Sequence, residues 1–199
     1  MTWPVESTRE VYANRWITVR EDAVVRPDGG RGVYGVVTIN QPAVFVVALT
    51  DDDEIVLVTV DRHTVGRSVE VPAGGTDGED PLVAAKRELL EETGLLADSW
   101  RPVGTMAALN GICEAPEHVY LATGLRTADG AALTDGLGSD GLGGDGDGLG
   151  GDGQDEEGIS EVRRVPVAHV LEMVRDGEIT DGETVASLLY ALLALGRVG

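Results

Sequence analysis

The chain has 199 residues, enough for one ordinary domain with a real core, and 42% of them are hydrophobic while only 4% are aromatic. Its net charge of −20 argues strongly against nonspecific binding to nucleic acid or to anionic membranes. Its one cysteine, Cys113, excludes an internal disulfide and is expected to be a small buried residue rather than a nucleophile.

"MTWPVESTREV" has neither the basic start nor the apolar run of a signal peptide, and nothing approaches the roughly 18 apolar residues of a membrane span. A cytoplasmic protein is expected. From Glu10 to Val60 the chain reads as β-rich, with a first hairpin turning at Pro27-Asp28-Gly29-Gly30. "AVFVVAL" (43–49) and "IVLVTV" (55–60) flank "TDDDE" and predict a second hairpin, buried on both faces. "SVEVPAG" reads as a strand ending at a tight turn. A helix follows, with Asp80 as N-cap, Pro81 in its first position and Gly94 as its stop.

Beyond that helix, "WRPVGTMAAL", "EHVYLATGL" and "ISEVRRVPV" predict further strands. "VAHVLEMVRDGEI" and "TVASLLYALLAL" predict two closing helices. Residues 134–153, "TDGLGSDGLGGDGDGLGGDG", offer nothing to a core and read as a disordered Gly/Asp-rich insertion. The sum is an α+β domain. His63, His118 and His169 are scattered and suggest no metal constellation.

The chemistry concentrates on "AGGTDGEDPLVAAKRELLEETGLL" (73–96). On a helix, Glu88, Glu91 and Glu92 fall within about 100° of arc, beside a stripe of Leu82, Ala85 and Leu89 that can seat on a sheet. Like charges at this spacing repel by roughly 0.2–0.5 kcal/mol per pair. A Mg²⁺ or Mn²⁺ ion would cancel the repulsion and finds hard oxygen ligands there, although carboxylates alone could also hold a structural Ca²⁺. Arg87, four residues before Glu91, can hold that carboxylate in an ion pair.

Glu79, seven residues, then Arg87-Glu88-Leu89-Leu90-Glu91-Glu92-Thr93-Gly94-Leu95 resembles the signature of the Nudix hydrolases at every fixed position from Glu79 onward. The glycine that should stand six places before Glu79 is replaced by Ala73. Gly74 is one place short of that distance, so the loop is a residue tighter. The resemblance implies a mixed β-sheet sandwiched by helices and metal-dependent hydrolysis of a nucleoside diphosphate linked to another moiety. It implies Glu88, Glu91, Glu92 and the backbone carbonyl of Ala73 as ligands of Mg²⁺ or Mn²⁺, with Glu79 and Arg87 accessory.

The layout resembles the ADP-ribose pyrophosphatase and nucleotide-sugar hydrolase branch, through "DRHTVGRSVEVPAG", "HVYLATGL" and "DGEITDGETVASLL". That likeness implies Arg62 and Glu70 as substrate-binding residues, each with a purely structural alternative. It implies Glu157, with Glu156 as rival, as the water-activating base on the loop before "ISEV". It further implies residues 1–40 as an N-terminal antiparallel β region that pairs two chains in a homodimer, and 41–199 as the hydrolase domain. Val60, Asp61, Ser68 and Asn110 depart from the branch, so ADP-ribose and nucleotide sugars both stand as substrates.

Two other classes of function compete. A non-catalytic nucleotide sensor of the same fold would carry degraded box carboxylates, and a nucleic-acid partner would need a basic segment that this chain lacks. A calcium site in the insertion would use Asp145, Asp147 and Glu156, but Leu149 breaks the ligand spacing.

Overall fold

The computed structural model describes residues 3–128 and 158–198, so the expected insertion and both candidate bases, Glu156 and Glu157, lie outside the described residues. The chain begins as an antiparallel meander of β1 (Val5–Ala13), β2 (Ile17–Val25) and β3 (Arg31–Ile39), turned between β2 and β3 through Gly29 at φ 82°. Strand β4 (Ala43–Ala48) is followed by β5 (Glu54–Arg62), β6 (Gly66–Glu70) and the short β7 (Ala73–Gly75). Helix α1 (Pro81–Thr93) leads into β8 (Leu95–Ala107), β9 (Cys113–Glu114) and β10 (Pro116–Thr127). Next among the described elements come β11 (Ile159–Pro166), α2 (Val167–Asp176) and α3 (Gly182–Ala194).

The strands form three sheets, β1-β2-β3-β9, β7-β4-β10-β8 and β11-β5-β6. The expected hairpin between 43–49 and 55–60 does not form as a strand pair. Strand β4 pairs in parallel with β10, β5 pairs with β6 and β11, and the only ladder pairing beside the turn between β4 and β5 is the bridge Leu49↔Ile55. Continuous apolar runs identify burial on both faces but do not choose the pairing partner.

That two-sided burial makes the layers. Val44, Val46 and Ala48 of β4, with Val56 and Val58 of β5, pack toward Ala84, Ala85 and Leu89 of α1. The alternate residues Phe45, Val47, Ile55 and Leu57 pack toward Val170 and Met173 of α2 and Leu188, Ala191 and Leu192 of α3. The period of two along each strand thus sends successive side chains to opposite helical layers. This is the expected α+β arrangement, mixed sheets between helices with an N-terminal antiparallel region. No helix among the described residues is long and apolar enough to cross a membrane. Cys113 is partly rather than fully buried, because it lies on β9 at the edge of the N-terminal sheet.

One charged cluster ties the N-terminal strands β2 and β3 to β9 within that sheet. Arg20 on β2 donates from Nη1 and Nη2 to the two carboxylate oxygens of Glu114 on β9, each at 2.7 Å, and Thr38 of β3 donates to Glu114 at 2.8 Å. The Arg20 bonds first, and that of Thr38 second, hold the Glu114 carboxyl down to about 2. A depressed carboxylate stabilises the fold above its unfolded value and loses that contribution as pH falls through the folded one. Glu114 is half exposed, so the contribution is about 1 kcal/mol rather than the full shift. Glu114→Gln is therefore expected to lower urea-unfolding stability by about 1 kcal/mol at pH 7, with the gap from wild type closing as the pH approaches 2.

Candidate active site

Helix α1 begins as the sequence dictates: Asp80 accepts from Leu82 N at 2.9 Å, Pro81 follows, and Gly94 closes the helix in the left-handed conformation at φ 70°. Ala84, Ala85 and Leu89 seat the helix on the sheet, which turns Glu88 and Glu92 inward and leaves Glu91 at the surface.

Arg87 organises this acidic surface. Its Nε donates to Glu79 at 3.0 Å, Nη1 donates to Glu88 at 2.8 Å and to Glu91 at 3.0 Å, and Nη2 donates to the Gly75 carbonyl at 2.8 Å. Asp77 stands 3.9 Å from the same guanidinium. Burial opposes the charge of Arg87, but the bond to Glu79, the charge of Glu88 and the bond to Glu91 outweigh it and raise the pKa. Spacing anticipated the Glu91 pair. The further contacts to Glu79, Glu88 and Gly75 follow from the turn at Asp77 (φ 48°) and Gly78 (φ 84°), which folds the loop back over the helix.

Glu92, turned inward like Glu88, accepts from the Ala73 amide at 3.0 Å. Glu88 and Glu91 thus meet through Arg87, while Glu92 meets the main chain of β7. Among the described residues no three His, Cys, Asp or Glu side chains gather in one ion-sized group. The donor chemistry nonetheless fits a hard divalent cation: only oxygens are offered, on one helix and the strand against it. Gly74 supplies the close approach, since a Cβ there would overlap the Glu88 carboxylate. A cation at Glu88 and Glu91 would exchange with Arg87, one positive partner for another.

Arg62 and Glu70, the two expected substrate residues, pair with each other: Arg62 Nη2 donates to Glu70 at 2.6 Å and Nε donates at 3.2 Å. The bond to Glu70 is the main cause that raises the Arg62 pKa; burial opposes it, and the charges of Glu92 and Asp181 add to it. Both residues line a cavity of about 470 Å³ with Phe45, Ser68, Glu117, Thr180, Asp181 and Glu183 among its other walls. Sequence reasoning missed Glu117, Asp181 and Glu183. A signal for Glu117 was present: on β10 it is in phase with the buried Val119 and Leu121, a place where a charge is out of character.

Gly74→Ala is expected to displace Glu88, lowering stability by about 1–3 kcal/mol and any turnover by at least about tenfold. Gly75→Ala is the control, because a Cβ there meets nothing within 4 Å. Denaturant unfolding and initial rates of the two variants check this.

Comparison with known proteins bears on the same residues. A family model described as "NUDIX domain" matches residues 39–188, and one described as "Nucleoside diphosphate sugar hydrolase N-terminal domain" matches residues 3–37. The chain is 29% identical over 188 residues to a methanol dehydrogenase activator of Bacillus methanolicus, covering 94% of this chain and 90% of that protein. It is 39% identical over 123 residues to an ADP-ribose pyrophosphatase of Mycobacterium tuberculosis, covering 60% of this chain and 59% of that one. The solved structure of an ADP compounds hydrolase superposes with a TM-score of 0.76 at 22% identity, covering 100% of this chain and 98% of that one, and so shares the fold. Since the matched domain takes in the acidic helix, its arginine and both layers of the core, the chain belongs to the Nudix hydrolase family.

Proposed function

We propose that this Nudix pyrophosphatase hydrolyses the diphosphate bond of ADP-ribose or a nucleotide sugar, releasing a nucleoside monophosphate and a sugar phosphate. The observation that carries the reading is Arg87 holding Glu88 and Glu91 beside Glu79, next to a Glu92 fixed on the Ala73 amide. An ADP-ribose pyrophosphatase among the relatives, and the nucleoside diphosphate sugar match over residues 3–37, support the two substrate classes.

Glu88, Glu91, Glu92 and the Ala73 carbonyl would hold Mg²⁺ or Mn²⁺. Such an ion neutralises phosphate oxygens and lowers the pKa of bound water. The chain's own residues do the rest. Glu92, anchored on the Ala73 amide, fixes the helix against β7, and Arg87 with Glu79 keeps Glu88 and Glu91 in register. Arg62, held by Glu70, presents a cation toward the phosphates or ribose. Glu157, with Glu156 next to it in the chain, takes the proton of the attacking water. Gly158, the residue after Glu157, accepts from Asp61 N at 3.1 Å, next to Arg62 in the chain, which supports that assignment.

A regulatory role is the second reading, favoured by the near full-length similarity to a protein named an activator. Turnover separates the two. With Mg²⁺ and a panel of ADP-ribose and nucleotide sugars, monophosphate release is expected, and Glu92→Gln should lower kcat by at least about 10²-fold. Wild-type rates in Glu92→Gln, or no release from any substrate, would count against a hydrolase.

We also propose that residues 1–40 pair two chains. Every residue of β1 is exposed, and Val5, Val11, Tyr12, Trp16 and Val33 are each half exposed or more, an apolar surface that a second copy would cover. Light scattering is expected to give twice the 20.8 kDa of one chain, and a monomer mass would contradict the pairing.

A further inference from the structure

The cavity beside Arg62 carries more acid than its structure consumes. Its walls bring Glu70 from β6, Glu117 from β10, and Asp181 and Glu183 from the start of α3 around one space of about 470 Å³, a size that suits a sugar or a base. Three of the four carboxylates are already engaged, Glu183 through its own amide and Asp181. Glu70 takes both bonds of Arg62, and Asp181 caps α3 by accepting from Thr184 N at 2.7 Å.

Glu117 is different. It is set into the cavity wall at 6% exposure, and its enclosed Oε2 finds no hydrogen-bond partner among the described residues. A buried carboxylate oxygen left in that state is costly, and proteins rarely keep one without a use. Among the described residues, Arg62 is the only cation on the cavity wall, and it is held by Glu70.

We propose that this cavity is the subsite for a hydrogen-bond-donating, non-anionic end of the substrate, best a protonated amine, received by Glu117 and Glu183. Two ends of a nucleoside diphosphate derivative can supply that chemistry, an amine or hydroxyls on the distal sugar and the exocyclic amine of the base. A distal carboxylate or a further phosphate is rejected by the same acids. The inference rests on the hydrolase reading for the identity of the molecule that carries the group.

The electrostatics agree with the geometry. Burial first, and then the charges of Glu183 and Asp181, push the Glu117 carboxyl up to about 7. Burial likewise raises that of Glu183; the bond to its own amide opposes this, and Asp181 and Glu70 add to it. An incoming donor relieves both strains, and an incoming anion worsens both.

The test compares ADP-glucose, ADP-glucosamine and ADP-glucuronate, whose hexoses carry a hydroxyl, an ammonium and a carboxylate, with IDP-glucose as the probe lacking the exocyclic amine. Binding is measured by calorimetry in EDTA at pH 7, for wild type and for the double substitution Glu117→Gln with Glu183→Gln, and initial rates are then taken with Mg²⁺. ADP-glucosamine is expected to bind at least about tenfold tighter than ADP-glucuronate, and the double substitution should bring the two within about threefold. If the hexose series is flat and IDP-glucose binds about tenfold more weakly than ADP-glucose only in wild type, the subsite takes the amine of the base. A flat hexose series with no loss on IDP-glucose, a spread that the double substitution leaves intact, or no binding of any of the four overturns the proposal. The expected binding order without Mg²⁺-dependent turnover would sink the hydrolase reading and leave the subsite standing. The wild-type series alone is decisive if the double variant does not fold, as judged by its circular dichroism.

Discussion

The Arg87 guanidinium holds together a set of groups that would otherwise drive one another apart. Glu79, Glu88 and Glu91 each accept from it, and the Gly75 carbonyl accepts from its remaining edge. Glu88 is only 3% exposed, and a carboxylate at such depth without a cation costs several kcal/mol. The planar fork of an arginine reaches in four directions at once, which a lysine's point charge cannot do. The same contacts lock the loop 75–79 onto α1, so the register of the acidic helix and the path of the chain entering it are one constraint. That is why a loop one residue tighter than the family pattern still delivers Glu79 to its partner.

The rest of the fold serves to hold that helix still. Strands β4 and β5 feed alternate side chains to α1 on one side and to α2 and α3 on the other. Ala84 and Ala85 bring α1 close enough for Glu88 to lie against Gly74 and for Glu92 to reach Ala73. On the opposite layer, Thr184 at the start of α3 accepts from Val71 N, which fixes the acids of that helix start beside Arg62 and Glu70. The acidic helix and the acid-lined cavity are therefore positioned by the same pair of strands.

Much of the site could be read in advance because a helix imposes its own geometry. Spacing alone placed Glu88, Glu91 and Glu92 within one arc of the helix, the Arg87–Glu91 pair, and the caps Asp80 and Gly94. It did not place the three carboxylates relative to one another, because rotamers follow partners, and Arg87 and the Ala73 amide are partners supplied by the tertiary fold. Residues 43–49 and 55–60 showed the same limit, where two-sided burial was legible and pairing was not. Long-range assembly was the hardest to read. Glu117 on β10 is remote in sequence from Asp181 and Glu183, yet the fold sets all three around one cavity, and nothing local in "PEHVYLATGL" names those partners.

We propose that the surface organised by Arg87 binds a divalent ion, which takes over carboxylates that the arginine otherwise holds. Mn²⁺ titration followed by electron paramagnetic resonance tests that most directly. Saturable binding is expected in wild type, weakened at least about tenfold by Glu88→Gln. Binding that is absent in wild type, or equally strong in Glu88→Gln, would contradict it.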